Sequence, residues 1–398
     1  MTAIIGAGVA GMAAFQSLRE AGVDAVLIEA RDRVGGRVHT LDLAGWPVPV
    51  ELGAEFIHGN PPELARFADT DSEPPADIGD NRALARLDKV SPSDPDRTFS
   101  DFLAQQSDLG ADERAGAIHF IEGFEAADPE RISVQSLHRE RAAADETAAP
   151  WRPRQGYAAV LDSLRTEGPI LTNTVVELIR WRPGAVVIHA LGPLGTTEIA
   201  AERAIVTLPL SLLQTQSPRF EPPLSAKASA LSHLVMGAAL RLTFRLSHRL
   251  WRDQDAGFLF GDVRQPGHFG VWWTAPDGAT QITGWMGGPQ VKPGMADTQR
   301  GIADLARILG CAEGAIESAF IASHSHDWQA DPFSRGAYSY AAVGGIEAAR
   351  GLATPLAGTL FFAGEATMDD GSHATTHGAI RSGRRAAQEV LSALRRKV

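Results

Sequence analysis

The first thirty residues carry the feature that most constrains the fold. An apolar run at residues 3–5 is followed by a helical pattern and then by a second apolar run that ends at Glu29. Three spaced glycines separate the first run from the helical pattern: Gly6, Gly8 and Gly11. This order of strand, glycine-rich turn, helix and strand with a terminal acid predicts a βαβ unit that binds a dinucleotide. The N–H groups at the helix N-terminus would face the pyrophosphate, and Glu29 would accept hydrogen bonds from a ribose.

Composition and charge exclude several classes of partner. A chain of 398 residues that is 44% hydrophobic can bury a full core. Its net charge of -11 opposes binding to nucleic acid and to anionic membrane surfaces. The apolar N-terminus lacks a basic region, and no other run approaches the ~18 apolar residues of a membrane span. The single cysteine, Cys311, excludes an internal disulfide, and we expect it to be a packing residue of a cytoplasmic protein.

Strand-like and helical patterns alternate along the rest of the chain. Residues 99–165 and 297–309 have helical patterns, and a last helix is predicted from about residue 375. Strand-like runs lie between them: VVELIRW, AVVIHAL, RAIVTLPL, ALRLTFRL, FGVWWTA, QITGWMGG and GTLFFAGE. Because the first and last segments both carry nucleotide-facing patterns, we predict an α/β fold in which a Rossmann-like domain is interleaved with an α+β substrate-binding domain. The Rossmann-like domain is predicted to comprise residues 1–58, 155–212 and 355–398, and the substrate-binding domain residues 59–154 and 213–354.

The stretch EARDRVGGRVHT, residues 29–40, contains two further glycines and Arg37, whose guanidinium is a bidentate donor for pyrophosphate oxygens. From this point the chain resembles the flavin-dependent amine oxidase family, which includes monoamine oxidases, polyamine oxidases and lysine-specific histone demethylases. The resemblance continues along almost the whole chain, through ELGAEFIHG, TNTVVELI, AIVTLPLSLL, WQADPFSRGAYSY and LFFAGEATMDDGSHATTHGAIRSG. It implies the architecture of amine oxidases and glutathione reductase-type flavoproteins, with FAD as the cofactor.

The resemblance assigns parts of FAD to individual residues. Glu29 would bind the adenosine ribose, Arg37 the pyrophosphate, and the backbone of Val176 the adenine. The other residues that the matching motifs place at FAD are Gly6, Gly8, Gly11, Arg31, Gly36, Gly53, Ala54, Glu55, Phe56, Trp328, Gly364, Glu365, Thr375 and Thr376. Gly53 would let the backbone pass close to the flavin, and the three residues after it would follow the flavin edge.

Three of these residues are expected near the flavin ring and its ribityl arm. By resemblance, Trp328 would line the flavin and Glu365 would lie near the ribityl-phosphate arm; a strand-end cap is the alternative role for Glu365. Thr376 would bring its backbone N–H to the pyrimidine side of the ring, where a helix N-terminus stabilises the negative charge of the reduced flavin. In monoamine oxidases a cysteine tethers the flavin, and Ala337 occupies that position. FAD is therefore expected to bind without a covalent link.

Four residues match substrate-side positions of the family. His58 would emerge beside the substrate, where an imidazole that titrates near neutrality can accept a proton; a core histidine is the alternative. Tyr338 matches the first aromatic of the family's cage, and Thr375 falls on the second cage position. Arg241 falls on the family's lysine, which holds a water against flavin N5; pairing with a neighbouring carboxylate is the alternative.

The resemblance implies FAD-dependent oxidation of a small-molecule amine. A hydride would pass from the carbon next to nitrogen to flavin N5, the imine would hydrolyse, and O₂ or another acceptor would take the electrons. Two alternatives remain open: a flavin-dependent desaturase or oxidase that acts on a C–C bond, and a weakly catalytic flavin-binding interaction protein. The stretch SHSHDW is expected to place His324 and His326 on one face of a strand. The two histidines lack a clear third ligand, so no metal site is predicted. Monomer and homodimer both remain open.

Overall fold

The structure, a computed structural model, describes residues 1–67, 82–143, 151–153, 155–252, 257–262, 267–276 and 278–395. Its strands are β1 (Thr2–Ile5), β2 (Ala25–Ile28), β3 (Thr40–Leu41), β4 (Val50–Glu51), β5 (Ile170–Leu171), β6 (Val175–Arg182), β7 (Ala185–Gly192), β8 (Gly195–Ala201), β9 (Arg203–Val206), β10 (Arg219–Glu221), β11 (Leu234–Met236), β12 (Ala239–Leu246), β13 (Phe258–Phe260), β14 (Val271–Thr274), β15 (Gln281–Gly287), β16 (Phe320–His324), β17 (Ser339–Ala341) and β18 (Leu360–Phe362). Its helices are α1 (Val9–Glu20), α2 (Arg82–Ala85), α3 (Phe99–Ala104), α4 (Ala111–Phe124), α5 (Val134–Ala143), α6 (Gly156–Ser163), α7 (Leu210–Gln214), α8 (Ala228–His233), α9 (Thr298–Leu309), α10 (Glu313–Ala319), α11 (Ala348–Ala353) and α12 (Thr376–Arg395).

A parallel sheet joins the two ends of the chain. Within the described ranges its strand order is β18-β9-β1-β2-β5, and each neighbouring pair is parallel. β1, β2, β9 and β18 are fully buried, as expected for a parallel sheet that is covered on both faces. On one face of this sheet α1 packs closely on α12. The two helices approach so closely at Gly383 that a Cβ there would lie 2.1 Å from the Ala10 carbonyl oxygen. The N-terminal βαβ unit and the C-terminal helix therefore form one body.

A second sheet lies next to the carboxyl end of β2. Its order is β10-β6-β7-β8 in the described part of the chain, and β10 is the strand that runs parallel to its neighbour. Ile179 and Ile188 from this sheet are completely buried in the core that covers the other face of the parallel sheet. The N–H of Thr174 donates to the Glu29 carbonyl at 2.8 Å, which brings the start of β6 beside the end of β2. Because β10 pairs with β6, this sheet extends beyond residue 212.

A third sheet carries the substrate-side part of the chain. β13-β14-β15-β12-β16 are neighbours in an antiparallel sheet that α9 and α10 cover. A separate core between helices α3 to α5 and the β11–β17 pair contains Phe99 and Tyr340. β12 and β17 place Arg241 and the segment after Tyr338 on the side that faces the parallel sheet's carboxyl edge.

Two side-chain expectations are wrong. Cys311 is exposed, because it follows Gly310, whose left-handed conformation ends α9 at the surface. His326 lies outside β16, which ends at His324, so the two histidines do not share a strand face. The His326 ring instead contacts Asp331 at 2.8 Å. The residues that the structure describes include no group of three or more potential metal ligands and no helix long and apolar enough to cross a membrane.

Candidate active site

The glycine-rich turn leaves the first turn of α1 open to a ligand. A Cβ on Gly11 would lie 1.9 Å from the Gly6 carbonyl oxygen, so helix and turn require a glycine there. Gly36, at φ +59°, would bring a Cβ within 3.1 Å of the Gly8 Cα, so the two glycine-containing segments touch. Gly8 is the N-cap and offers no side chain, and the first turn contains no acid. The N–H groups of this turn can therefore bind a phosphate.

Glu29 lies at the end of β2, as the dinucleotide pattern predicts. Its buried carboxylate accepts hydrogen bonds from the backbone N–H of Ala7 at 2.8 Å and of Arg31 at 2.9 Å. The Arg31 guanidinium contacts Asp331 at 2.6 Å and the Ser334 hydroxyl at 2.9 Å, and it lies 3.6 Å from Glu29. Arg31 thus links the strand end to residues 331–334. The structure gives Arg31 a role in orienting Glu29, in addition to the predicted contact with FAD.

Glu365 connects three segments that the sequence places far apart. One carboxylate oxygen accepts from Arg37 at 3.0 Å, and the other accepts from the Ser339 hydroxyl at 2.6 Å and from the Ala374 N–H at 3.2 Å. Burial alone would raise the pKa of Glu365, but the Arg37 charge and the hydrogen bonds from Ser339 lower it. The ionised carboxylate holds the residue-37 segment, β17 and the loop before α12 together. Gly364, at φ +128°, has no atom within 4 Å of a Cβ position, which leaves space beside this junction.

The segment after β4 packs against Arg37 and Trp328. A Cβ on Gly53 would lie 1.8 Å from the Arg37 carbonyl oxygen, and that carbonyl accepts from the Ala54 N–H at 3.3 Å. The buried Trp328 indole donates to the Leu52 carbonyl at 2.8 Å. The close approach of the Arg37 backbone is thus one reason for a glycine at residue 53, and passage close to the flavin stays a prediction.

Glu55 is the centre of a largely buried ion cluster, and its place along the flavin edge stays a prediction. Its carboxylate accepts from Arg241 at 2.5 Å, from Arg152 at 2.6 Å and from the Trp273 indole at 3.1 Å. Burial would raise the pKa of Glu55, but the charges of Arg152 and Arg241 lower it. Arg241 also donates to the Gly53 carbonyl at 2.9 Å. The alternative interpretation of Arg241, pairing with a carboxylate, is what the structure shows.

The Phe56 ring packs against two members of the Glu55 ion cluster. The Arg152 guanidinium lies 4.4 Å from the centre of the Phe56 ring, which packs edge-on against Trp273 at 5.4 Å. The Phe56 carbonyl accepts from the Tyr157 hydroxyl at 3.1 Å, and the same hydroxyl contacts the Thr376 side chain. Tyr157 thus joins the segment after β4 to the first residue of α12.

His58 and Tyr338 meet at the end of α4. The His58 ring lies edge-on to the Phe124 ring at 5.2 Å, and the Tyr338 hydroxyl donates to the Phe124 carbonyl at 2.6 Å. The His58 side chain is exposed at one side, and desolvation by the neighbouring protein lowers its pKa to about 4. This direction argues against the expectation that His58 titrates near neutrality. It is a neutral hydrogen-bonding group at physiological pH.

Thr375 and Thr376 form the start of α12. The Thr375 hydroxyl donates to the Ser372 carbonyl at 2.6 Å and accepts from the Gly378 N–H at 3.0 Å, so this residue caps the helix. His377 is buried in the first turn, and burial, together with the Arg381 charge, lowers its pKa to about 4. No acidic residue lies in the first turn, which leaves the helix dipole free to stabilise negative charge on a ligand.

Glu125, which no sequence motif marks, adjoins the same cluster. It follows Phe124 directly, and the described residues donate no hydrogen bond to its carboxylate. Burial and then the neighbouring Glu140 raise its pKa to about 8. Burial, with Glu125 and Glu365, raises the pKa of Tyr338. Glu125 lies inside the helical pattern of residues 99–165, so no sequence signal indicated that it follows the end of a helix. We call His58, Phe124, Glu125 and Tyr338 the substrate-side cluster.

Two family models match the chain. The model described as flavin containing amine oxidoreductase matches residues 92–391, and the model described as NAD(P)-binding Rossmann-like domain matches residues 4–70. The chain is 26% identical to lysine-specific histone demethylase 1 homolog 2 of Arabidopsis thaliana, with 98% of the chain and 58% of that protein covered. It is also 26% identical to polyamine oxidase 3 of Oryza sativa subsp. japonica, with 97% and 88% covered. The chain thus spans little more than half of the demethylase but most of the polyamine oxidase.

Solved structures share the fold over nearly the whole chain. Putrescine oxidase bound to putrescine superposes with a TM-score of 0.80 at 20% identity and covers 98% of both chains. Cyclohexylamine oxidase from Brevibacterium oxydans gives a TM-score of 0.80 at 20% identity and covers 99% of both chains. These matches confirm the α/β fold class with its Rossmann-like part.

The family match also confirms the predicted chemistry at the level of the family. FAD is the cofactor, and the enzyme is an oxidoreductase that acts on an amine. The match covers more than half of the chain, because it extends over residues 92–391 of 398. The chain therefore belongs to the family of flavin-containing amine oxidoreductases.

Proposed function

We propose that this protein oxidises a small-molecule amine at the substrate-side cluster, with FAD bound non-covalently across the two glycine-containing segments. The observation that carries the proposal is the desolvated carboxyl group of Glu125 beside Tyr338, to which no residue in the described ranges donates a hydrogen bond. A desolvated acid without a hydrogen-bond partner is costly in a folded protein, and a cationic ligand would satisfy it. The polyamine and putrescine oxidases that the chain is similar to act, by their names, on such cations.

The residues present fit FAD. The open first turn of α1 and the touching glycines Gly8 and Gly36 form a cradle for the pyrophosphate. Glu29 would hold the ribose, and Arg37 would bind the phosphates from its place beside Glu365. Ala337 cannot form a thioether, which supports non-covalent binding. FAD, when bound, supplies the acceptor for the hydride equivalent that leaves the carbon next to nitrogen.

The protein residues would remove the substrate proton. An alkylammonium titrates near the lysine value of about 10.4, and only the neutral amine has the lone pair that supports hydride loss. A proton acceptor works best when its pKa lies near the operating pH. Glu125, with a pKa of about 8, meets this condition better than His58, with a pKa of about 4. Glu125 is mostly protonated at pH 7 in the free protein, and the positive charge of a bound ammonium would ionise it so that the carboxylate can accept the proton. We therefore assign proton acceptance to Glu125, a hydrogen bond to the amine to the neutral His58, and the aromatic face to Tyr338.

A panel of amines tests this function. Purified protein with FAD is mixed without oxygen with primary, secondary and polyamine substrates and with amino acids, and flavin absorbance is followed. We expect at least one amine to bleach the flavin, and Glu125→Gln to slow that bleaching by roughly a hundredfold or more. Glu122→Gln, which changes a neighbouring acid on α4, serves as the matched control and is expected to keep the wild-type rate. Bleaching by none of the amines would contradict the proposal.

No contact in the described residues favours either alternative function, the desaturase or oxidase that acts on a C–C bond or the weakly catalytic flavin-binding protein. A desaturase that acts on a C–C bond of an apolar substrate needs no proton acceptor, whereas the substrate-side cluster contains an imidazole and a carboxyl group that can accept one, His58 and Glu125. We further propose a cytoplasmic location, which rests on the single cysteine and the acidic charge. O₂ and another electron acceptor remain alternatives, because Arg241 is bound by Glu55 and Gly53.

A further inference from the structure

The loop before α12 is held in an unusual backbone conformation. Ala374 has φ +59°, a left-handed conformation that costs a non-glycine residue roughly 1 kcal/mol or more. Its N–H donates to Glu365 at 3.2 Å, and the next residue, Thr375, caps the helix. The conformation of this loop therefore fixes the position and direction of the α12 N-terminus.

Helix α5 packs directly against this loop. A Cβ on Gly371 would lie 2.4 Å from the Ala143 Cβ, so the loop and the last turn of α5 are in contact. From the same helix, the Glu140 carboxylate lies 3.2 Å from His373 Nε2 and also accepts from the Ser136 hydroxyl at 2.8 Å. His373 immediately precedes Ala374. Glu140 of α5 thus contacts His373, the residue directly before Ala374 with its left-handed backbone.

The Glu140–His373 contact is secluded from water. The Glu140 and His373 side chains are 15% and 14% exposed, so solvent competes little for their polar contact. Burial raises the pKa of Glu140 to about 8, against the opposing hydrogen bond from Ser136. Glu140 is also close enough to Glu125 to raise the pKa of that acid. The contact therefore lies between the substrate-side cluster and the helix start.

We propose that Glu140 is a positioning residue for the cofactor: through His373 it fixes Ala374 and Thr375, and so it sets the place of the α12 N-terminus relative to the flavin. The inference rests on the proposed FAD site but not on the identity of the amine. A misplaced helix N-terminus stabilises charge on the reduced ring less well, because the dipole effect falls off within one turn. Glu140 itself does not touch the reacting atoms in this role.

Paired substitutions test the contact. Glu140→Leu and His373→Leu remove the polar contact, whereas Glu140→Gln and His373→Gln keep a polar group on each side of it. Since burial raises the pKa of Glu140 to about 8, Glu140→Gln leaves the net charge at pH 7 almost unchanged. Arg139→Gln, on the same helix but bonded to Ile346 and Glu347, is the control for changes on α5 in general.

The measurements are FAD affinity, the visible flavin spectrum, the flavin midpoint potential from photoreduction against a dye, and the anaerobic reduction rate with amine. We expect both leucine variants to bind FAD, to have a shifted spectrum and a lower midpoint potential, and to be reduced roughly tenfold to a hundredfold more slowly. Both glutamine variants and Arg139→Gln should stay close to the wild type. The double leucine variant should be no worse than either single variant, because both remove one interaction.

Two results would overturn the inference. One is a wild-type spectrum and midpoint potential in both leucine variants. The other is a loss confined to thermal stability or FAD affinity, with the potential and the rate per bound flavin unchanged, which would make the contact purely structural. The spectrum and potential need no amine, so they also decide the matter if the proposed amine chemistry fails.

Discussion

At the scale of single residues, Glu55 illustrates what a motif can and cannot predict. The stretch ELGAEFIHG correctly indicated that the acid at this position is not an exposed surface residue. Its partners Arg152 and Arg241 lie 97 and 186 residues away, so no local pattern could reveal the ion cluster. Likewise Glu125 lies between two motifs, and its importance depends on the approach of Tyr338 and Glu140.

Removing the Glu55 carboxylate should destabilise the protein strongly. In Glu55→Gln, the buried Arg241 and the half-buried Arg152 lose their counter-ion, and loss of a buried partner typically costs about 3–5 kcal/mol. We expect a loss of about 3 kcal/mol in the free energy of unfolding, measured by urea titration of the protein with FAD. The exposed pair Arg165–Asp162 offers the control, since Asp162→Asn should change stability little. A variant as stable as the wild type would mean that water, not the ion cluster, satisfies these groups.

The raised pKa of Glu125 predicts a pH dependence of stability. Its folded-state pKa of about 8 lies above the unfolded value, so the folded protein holds this proton more tightly. The stabilising contribution is fully present below an unfolded-state pKa of about 4.3 and is lost as the pH rises through the folded-state value. Between pH 5 and 9 the wild type should therefore lose more stability than Glu125→Gln, by at most about 1.4 kcal/mol for each pH unit below the folded-state pKa. Urea-unfolding measurements in which the two proteins change equally across this range would contradict the assigned burial.

At the scale of elements, the strands and the main helices follow the sequence patterns closely. Continuous apolar runs became the buried strands of the parallel sheet, and the pattern at 297–309 became α9 at Thr298–Leu309. The start of α12 at Thr376 matches the expectation of a helix from about residue 375. The Glu140 contact from α5 was not predicted, because helical periodicity says which face is apolar but not which loop packs on it.

The cap of α12 gives a prediction at this scale. Thr375→Ala removes the hydroxyl that accepts from Gly378, and loss of such a cap typically costs about 1 kcal/mol. We expect that loss in urea unfolding, together with a slower anaerobic reduction of the flavin. Thr375→Ser retains the hydroxyl and should behave as the wild type. If serine and alanine were equally impaired, the methyl group and not the cap would be the important feature.

At the scale of the whole molecule, the two ends of the chain form one site. β1 and β2 come from the N-terminus, β18 and α12 from the C-terminus, and Arg37 and Glu365 join them through a 3.0 Å ion pair. The fold class was predictable because glycine spacing and strand order are local patterns, whereas FAD as the cofactor followed from the resemblance that several motifs along the chain carry. The interleaved domain division stays a proposal, and the pairing of β10 with β6 argues for moving its boundary at residue 212 towards the C-terminus.

The most direct measurement for this account is the flavin content of the purified protein before and after acid precipitation. The account predicts one FAD per chain, released entirely into the supernatant, because Ala337 offers no sulfur for a covalent link. A protein that stays colourless when FAD is supplied, or a flavin that remains in the precipitate, would contradict it.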